Sequence, residues 1–208
     1  AEAKRPAPGD PGRQCACGQS LRRASPGVRL SSVGRLREVS PAVLAEIARG
    51  ALIVEIVAVI DFETTGLSPA QGDRATEVAA VILEGGRVVA RYQSLMNAGV
   101  RIPGHIEALT GISNAMVRSA PPSGDVMRAV SDFVGGIPIV AHNAAFDAKF
   151  WDAELARIQR SRQQGFVCSL LLSRRLLPLA PSHKLVALVE YAGLPVAGRY
   201  HRALADAE

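Results

Sequence analysis

Two carboxylates two residues apart, Asp61 and Glu63, close an apolar run. Strand side chains alternate, so both point to one face and Phe62 between them points to the other. Such a pair repels itself unless a cation neutralises it. Acidic residues also mark ordinary strand ends, so the pair alone reads either as a solvent-facing terminus or as part of a metal site. The following Thr64-Thr65-Gly66 adds hydroxyls and a glycine that lets the backbone approach a ligand closely. A third carboxylate, Asp147, follows Ala141-His142-Asn143 and falls in the first turn of an expected helix, where it also suits the helix dipole. His201 and Asp206 stand near the end of the chain. A lone histidine beside Tyr200 carries no meaning by itself; the ordered set of three segments does.

These groups need a scaffold. The Val- and Ile-rich run at 52–62 predicts a central strand buried on both faces. Strands at 75–83 and 87–95 follow, joined at Gly85-Gly86, whose tolerance of positive φ suits a tight hairpin. Helical spacing of Val126, Val130, Phe133 and Val134 predicts a helix over 123–134, ended by Gly135-Gly136. A strand at 137–141, a helix from about 142 to 160, a strand at 166–168, a helix capped by Ser169 and a helix from Ser182 to Gly193 complete the pattern. Antiparallel strands followed by strands alternating with helices describe an α/β fold with a mixed sheet and flanking helices.

The net charge of +5 is unevenly placed: residues 1–50 carry nine Lys/Arg against four Asp/Glu, and the remainder carries fifteen of each. Overall charge therefore gives no support for nucleic-acid binding by the globular part. The stretch 155–189 is different, with Arg157, Arg160, Arg162, Arg174, Arg175 and Lys184 and no acid, which reads either as solvated helix faces or as a phosphate-tracking patch. Residues 1–50 form a basic, Pro/Gly/Arg-rich segment expected to be disordered, with a short helix at 41–49. Three cysteines build neither a disulfide framework nor a zinc site, Cys15 and Cys17 having no second pair, and a reducing, cytoplasmic setting without membrane association is expected.

DFETTGL (61–67), AHNAAFD (141–147) and HRALADA (201–207), in that order, resemble the three motifs of the DEDDh 3′→5′ exonuclease family, which includes the proofreading (epsilon) subunit of bacterial replicative DNA polymerase. The resemblance implies a ribonuclease-H-like five-stranded sheet, three strands antiparallel and then parallel ones, over residues 51–208. It implies Asp61, Glu63, Asp147 and Asp206 as ligands of two divalent cations and His201 as the base that activates water. Four carboxylates suit Mg²⁺ or Mn²⁺ better than zinc. It also implies that Thr64, Thr65 and Leu67 touch the terminal nucleotide and that Asn143 contacts substrate. His105, Ile106 and Leu109, in the loop-like IPGHIEALTGI stretch, would lie beside it, although such a loop is equally a packing element.

The implied substrate is a single-stranded 3′ end, DNA before RNA, with a DNA polymerase subunit as a possible partner. An RNA-trimming exoribonuclease uses the same chemistry, and a binding module that lost catalysis is the alternative from another class. Asp206 lies two residues before the final Glu208, so its helix has at most about two turns, too short to hold itself. Related domains continue that helix, which leads to the expectation of a fragment with a poorly placed Asp206.

Overall fold

A computed structural model describes residues 56–195, 198 and 200–208. The expected basic segment, the helix at 41–49, Cys15 and Cys17, and the first residues of the expected central strand lie outside the described residues. The apolar run forms β1 (Ile56–Thr64), which pairs antiparallel with β2 (Ala75–Glu84), itself antiparallel to β3 (Arg87–Leu95). Gly85 and Gly86 take φ of 55° and 75° in the hairpin between them. β4 (Ile139–Ala141) and β5 (Phe166–Cys168) add in parallel, giving the order β3-β2-β1-β4-β5. This is the expected five-stranded mixed sheet.

Among the described residues three α-helices precede β4: α1 (Gly104–Thr110), α2 (Asn114–Arg118) and α3 (Ser123–Val134). Four follow: α4 (Ala145–Arg157), α5 (Ser169–Leu176), α6 (Leu185–Ala192) and α7 (Ala203–Ala207). One sheet face carries the main core, in which Ala58, Ile60 and Phe62 meet Val126 and Val130 of α3 and Phe150, Trp151 and Leu155 of α4. Phe62 and Trp151 pack edge to face, with ring centroids 6.1 Å apart. The other face is covered by α7, whose Ala203 and Ala207 rest on Ala79 and Val81.

That asymmetry corrects the expectation for β1. Ala58, Ile60 and Phe62 are buried, whereas Val57, Val59 and Asp61 are only half-buried, because so short a helix covers little of its face. The segment expected as a loop around His105 contains α1, preceded by Pro103 and ended by Gly111 at φ 72°, then α2, whose first turn is capped by Ser113 Oγ accepting from Met116 N at 3.2 Å. β4 begins two residues later than expected and α4 is shorter than expected. Ser169 is the first residue of α5 and does not cap it; its hydroxyl instead meets His142. α6 starts three residues beyond Ser182, because Lys184 is extended with ψ 145°.

The basic stretch is partly consumed by the fold. Arg160 pairs with Asp132 at 2.6 Å, Arg162 with Asp152 at 2.7 Å and Arg157 with Glu154 at 3.9 Å. Among the described residues no helix is long and apolar enough to cross a membrane.

Candidate active site

β1, β4 and β5 are parallel, so their carboxyl ends open on one edge of the sheet, the edge where ligands sit in open α/β folds. Asp61 and Glu63 come from β1 at this edge, Asp147 from the first turn of α4 after β4, and Asp206 from α7. Asp147 is 2% exposed and turns back to the sheet, its Oδ1 accepting from Phe62 N at 3.2 Å. It is therefore more than a helix-dipole partner. Asp206 Oδ2 accepts from His201 N at 3.0 Å, while its Oδ1 is buried with no hydrogen-bond partner. Glu63, His201 and Asp206 each bring one donor atom to within 4.8 Å of the others.

The four acids repel across this small space. Burial, and then Asp147, Glu63, Asp206 and Glu77, hold the Asp61 carboxyl well above the ordinary carboxylate range. Burial, with Asp206 and Glu77, pushes Glu63 from 4.5 to about 8, against the opposing pull of Arg202. Burial raises Asp147 from 3.8 to about 7 despite the Phe62 N–H, and raises Asp206 despite the His201 N–H. The expectation of a solvent-facing Glu63 is thus corrected: it is 9% exposed, with His201 and Asp206 beside it. Clustered, desolvated carboxyls with an orphaned oxygen and a neighbouring imidazole fit a divalent cation. The imidazole of His201 stands beside Glu63 and Asp206, while Asp147 Oδ1 is engaged by backbone.

Sequence reasoning missed what holds this edge together. Glu77, 1% exposed and opposite Glu63 in the β1–β2 register, accepts from Arg202 Nε at 3.0 Å, from an Arg202 terminal nitrogen at 2.7 Å, from Ala203 N at 3.1 Å and from Gln93 at 2.9 Å. It ties the start of α7 to β2, and α7 carries Asp206 beside Glu63 and His201. Docking rests on Ala203, Ala207 and Glu77, with Leu204 only partly buried. A glutamate inside an otherwise apolar strand was the available signal; its arginine partner, 125 residues away, had none. Arg74 and buried Glu154 form a second two-point pair, at 2.7 and 2.8 Å, beneath the loop after β1.

That loop uses its polar groups internally. Thr64 Oγ1 donates to Gly66 O at 2.6 Å, and Thr65 Oγ1 accepts from Arg74 N at 3.0 Å. A Cβ on Gly66 would lie 2.4 to 2.5 Å from the Asp73 carboxylate, which itself accepts from Ser68 N. The glycine therefore makes room for Asp73. Leu67 is 75% exposed at the same turn. His105 and Leu109 are exposed on α1, whereas Ile106 packs on Ile102, Ile112 and Val117. Asn143 is exposed at the carboxyl end of β4, held at φ 64°.

The family model described as exonuclease matches residues 58–208. The chain belongs to the exonuclease family. The 3′-5′ exonuclease DinG of Bacillus subtilis (strain 168) is 40% identical over 157 residues, which are 72% of this chain and 16% of that protein. A DNA polymerase III subunit epsilon-like protein of Rhodobacter capsulatus is 37% identical over 151 residues, 71% of this chain and 21% of that one. The chain thus spans about a fifth or less of these curated relatives. Among solved structures, exonuclease X in complex with 5′ overhanging duplex DNA superposes with a TM-score of 0.60 at 28% identity, covering 73% of this chain and 84% of that one. The nuclease domain of 3′hExo, a DEDDh family member bound to rAMP, shares the fold at a TM-score of 0.64 and 19% identity over 74% of this chain and 86% of its own.

Proposed function

We propose that this chain is a metal-dependent 3′→5′ exonuclease domain that hydrolyses the terminal phosphodiester of single-stranded DNA and releases nucleoside 5′-monophosphates, in proofreading or repair. The observation that carries this function is the convergence of Asp61, Glu63, Asp147 and Asp206 on one sheet edge with carboxyls held above their ordinary range. Such an edge repels a phosphodiester until cations enter. Asp61, Glu63, Asp206 and, through its second oxygen, Asp147 would hold two divalent cations, Mg²⁺ or Mn²⁺, which supply orientation of the attacking water and neutralisation of the leaving oxygen.

The remaining work belongs to the chain. His201, beside Glu63 and Asp206, accepts the proton of the attacking water. A new phosphorus–oxygen bond forms as the bond to the 3′ oxygen of the penultimate nucleotide breaks, and that oxygen takes up a proton to become the new 3′-hydroxyl. Leu67 is exposed where it can pack on the terminal base, and backbone groups at Thr64 and Thr65 face the terminal sugar. Their hydroxyls hold the turn that presents them. His105 lies outside this chemistry and is assigned to strand contact, as is Asn143.

DNA is preferred to RNA in this reading because exonuclease X, in complex with DNA, is 28% identical to this chain, against 19% for the nuclease domain bound to rAMP. A polymerase partner follows only from the epsilon-like relative. The free thiol of Cys168 accords with a reducing, cytoplasmic setting. End-labelled single-stranded DNA, duplex DNA and RNA, digested side by side with Mg²⁺ or Mn²⁺, provide the test. Metal-dependent release of 5′-mononucleotides from the 3′ end of DNA, abolished in Asp61→Asn, is expected. Internal cleavage, or equal turnover in chelator, would overturn the assignment.

A further inference from the structure

A second opening lies along the same sheet edge. It is a cleft of about 450 Å³ between the carboxyl end of β4, the first turns of α5 and the approach to α6. Its walls carry Arg174 and Lys184 and no acidic residue. Both cations are exposed, and among the described residues neither is ion-paired, unlike Arg157, Arg160 and Arg162 of the same basic run.

The cleft is built by hydrogen bonds. His142 Nε2–H donates to the His183 carbonyl at 3.0 Å, and Nδ1 accepts from the Ser169 hydroxyl at 3.1 Å. His183 Nδ1 meets the buried Ser173 hydroxyl at 3.1 Å. These bonds fix the segment that carries Lys184 against the helix that carries Arg174. Asn143 completes the lining, in the left-handed backbone region, with a side-chain amide that hydrogen-bonds to nothing among the described residues.

Position gives the cleft its meaning. Neighbouring strands are about 4.8 Å apart, so openings over β4 and β5 lie roughly one and two such steps from Asp61 on β1. A strand whose terminal phosphodiester sits at the acid cluster and whose retained part crosses this edge would lay its next phosphates over the cleft. We propose that Arg174, Lys184 and Asn143 form a binding site for backbone phosphates of the retained single strand, on the 5′ side of the bond being cut. This rests on the exonuclease assignment for its direction along the strand, and on the cleft alone for its ligand. Two unpaired cations without an acid attract phosphodiester regardless of base, which suits an enzyme that must step along any sequence.

The test is binding of a labelled oligothymidylate to the full chain in chelator, followed by fluorescence anisotropy across a salt series, so that no turnover is needed. The double variant Arg174→Gln/Lys184→Gln is compared with Arg160→Gln, whose cation already has Asp132, and with Arg174→Lys. Loss of each phosphate contact lowers the slope of log affinity against log salt by about 0.7 for single strands. The double variant is expected to lose about one to one and a half from that slope, with affinity at low salt about tenfold weaker. Arg160→Gln and Arg174→Lys should keep the slope. Thermal melts confirm that each variant is folded. A slope unchanged in the folded double variant would overturn the proposal. So would competition by inorganic phosphate with no effect of the substitutions on the oligonucleotide. A lowered slope in a chain that hydrolyses no substrate would keep the cleft and remove the exonuclease assignment; turnover with an unchanged slope would do the reverse.

Discussion

Metal-free protein should lose stability as pH rises, against the usual trend for carboxylates held by favourable partners. Glu63 binds its proton up to about pH 8 in the folded chain, whereas the ordinary value is 4.5. Below about pH 4.5 both states are protonated and the group contributes nothing. Between the two values the unfolded chain sheds a proton that the folded chain retains, so folding is opposed more strongly with each step, by about 1.4 kcal/mol per pH unit for each retained proton. Above about pH 8 the penalty is complete. Asp147, raised to about 7, adds to it over the lower part of the same window. One retained proton from about pH 5 to about pH 8 amounts to roughly 4 kcal/mol as an upper limit, which for a chain of this size lowers the thermal midpoint by roughly 8–16 °C. Divalent cations should reverse the trend by replacing the protons, so that metal binding tightens with pH and releases protons. Thermal unfolding in chelator and in Mn²⁺ across this range measures both effects. Glu63→Gln should flatten the profile in chelator and raise the midpoint at alkaline pH. Equal midpoints in chelator at the two ends of the range would refute the burial and mutual repulsion that hold these carboxyls above their ordinary range.

Glu77→Gln should destabilise the fold by about 2–4 kcal/mol in urea denaturation, because it leaves Arg202 facing an uncharged amide, and should weaken Mn²⁺ binding in calorimetry as α7 loosens. Unchanged values in both measurements would mean that Ala203 and Ala207 suffice to seat the helix. His201 stands at φ 59°, a conformation asparagine tolerates better than alanine, so His201→Asn is the informative replacement. It should lower kcat by about a hundredfold or more with KM little changed, and added imidazole should restore part of the rate; full activity would remove His201 from proton transfer. Gly66→Ala should cost about 1–2 kcal/mol in the same denaturation, because the new methyl group displaces Asp73 from Ser68 N. A neutral result would show that the Asp73 side chain can swing aside.

Local physics was enough for much of the fold. Local sequence gave β2, β3 and β5, and a period-3.6 pattern gave α3, nearly to the residue, and Gly85-Gly86 gave the hairpin, because in these segments backbone preference, burial and turn chemistry agree. Three short motifs, through their resemblance to the exonuclease family, implied that Asp61, Glu63, Asp147, His201 and Asp206 belong together. Boundaries failed where tertiary partners override local preference. Ser169 looks like a cap but spends its hydroxyl on His142, and the segment after Ser182 stays extended because its carbonyl at His183 is already bonded. α1 and α2 were hidden by their shortness and by Pro103, Gly104 and Gly111, which read equally well as loop. The site itself needed depth as well as membership. Glu63 is buried rather than solvent-facing, Glu77 seats α7 through an arginine 125 positions away, and Arg157, Arg160 and Arg162 of an apparently continuous basic stretch are spent on ion pairs. Sequence spacing records which groups share a strand face or a helix turn, since those periods are properties of the backbone. Desolvation and pairing between distant elements depend on how the layers close over one another, and only the packed sheet decides which charges are left free to meet a metal ion or a phosphate.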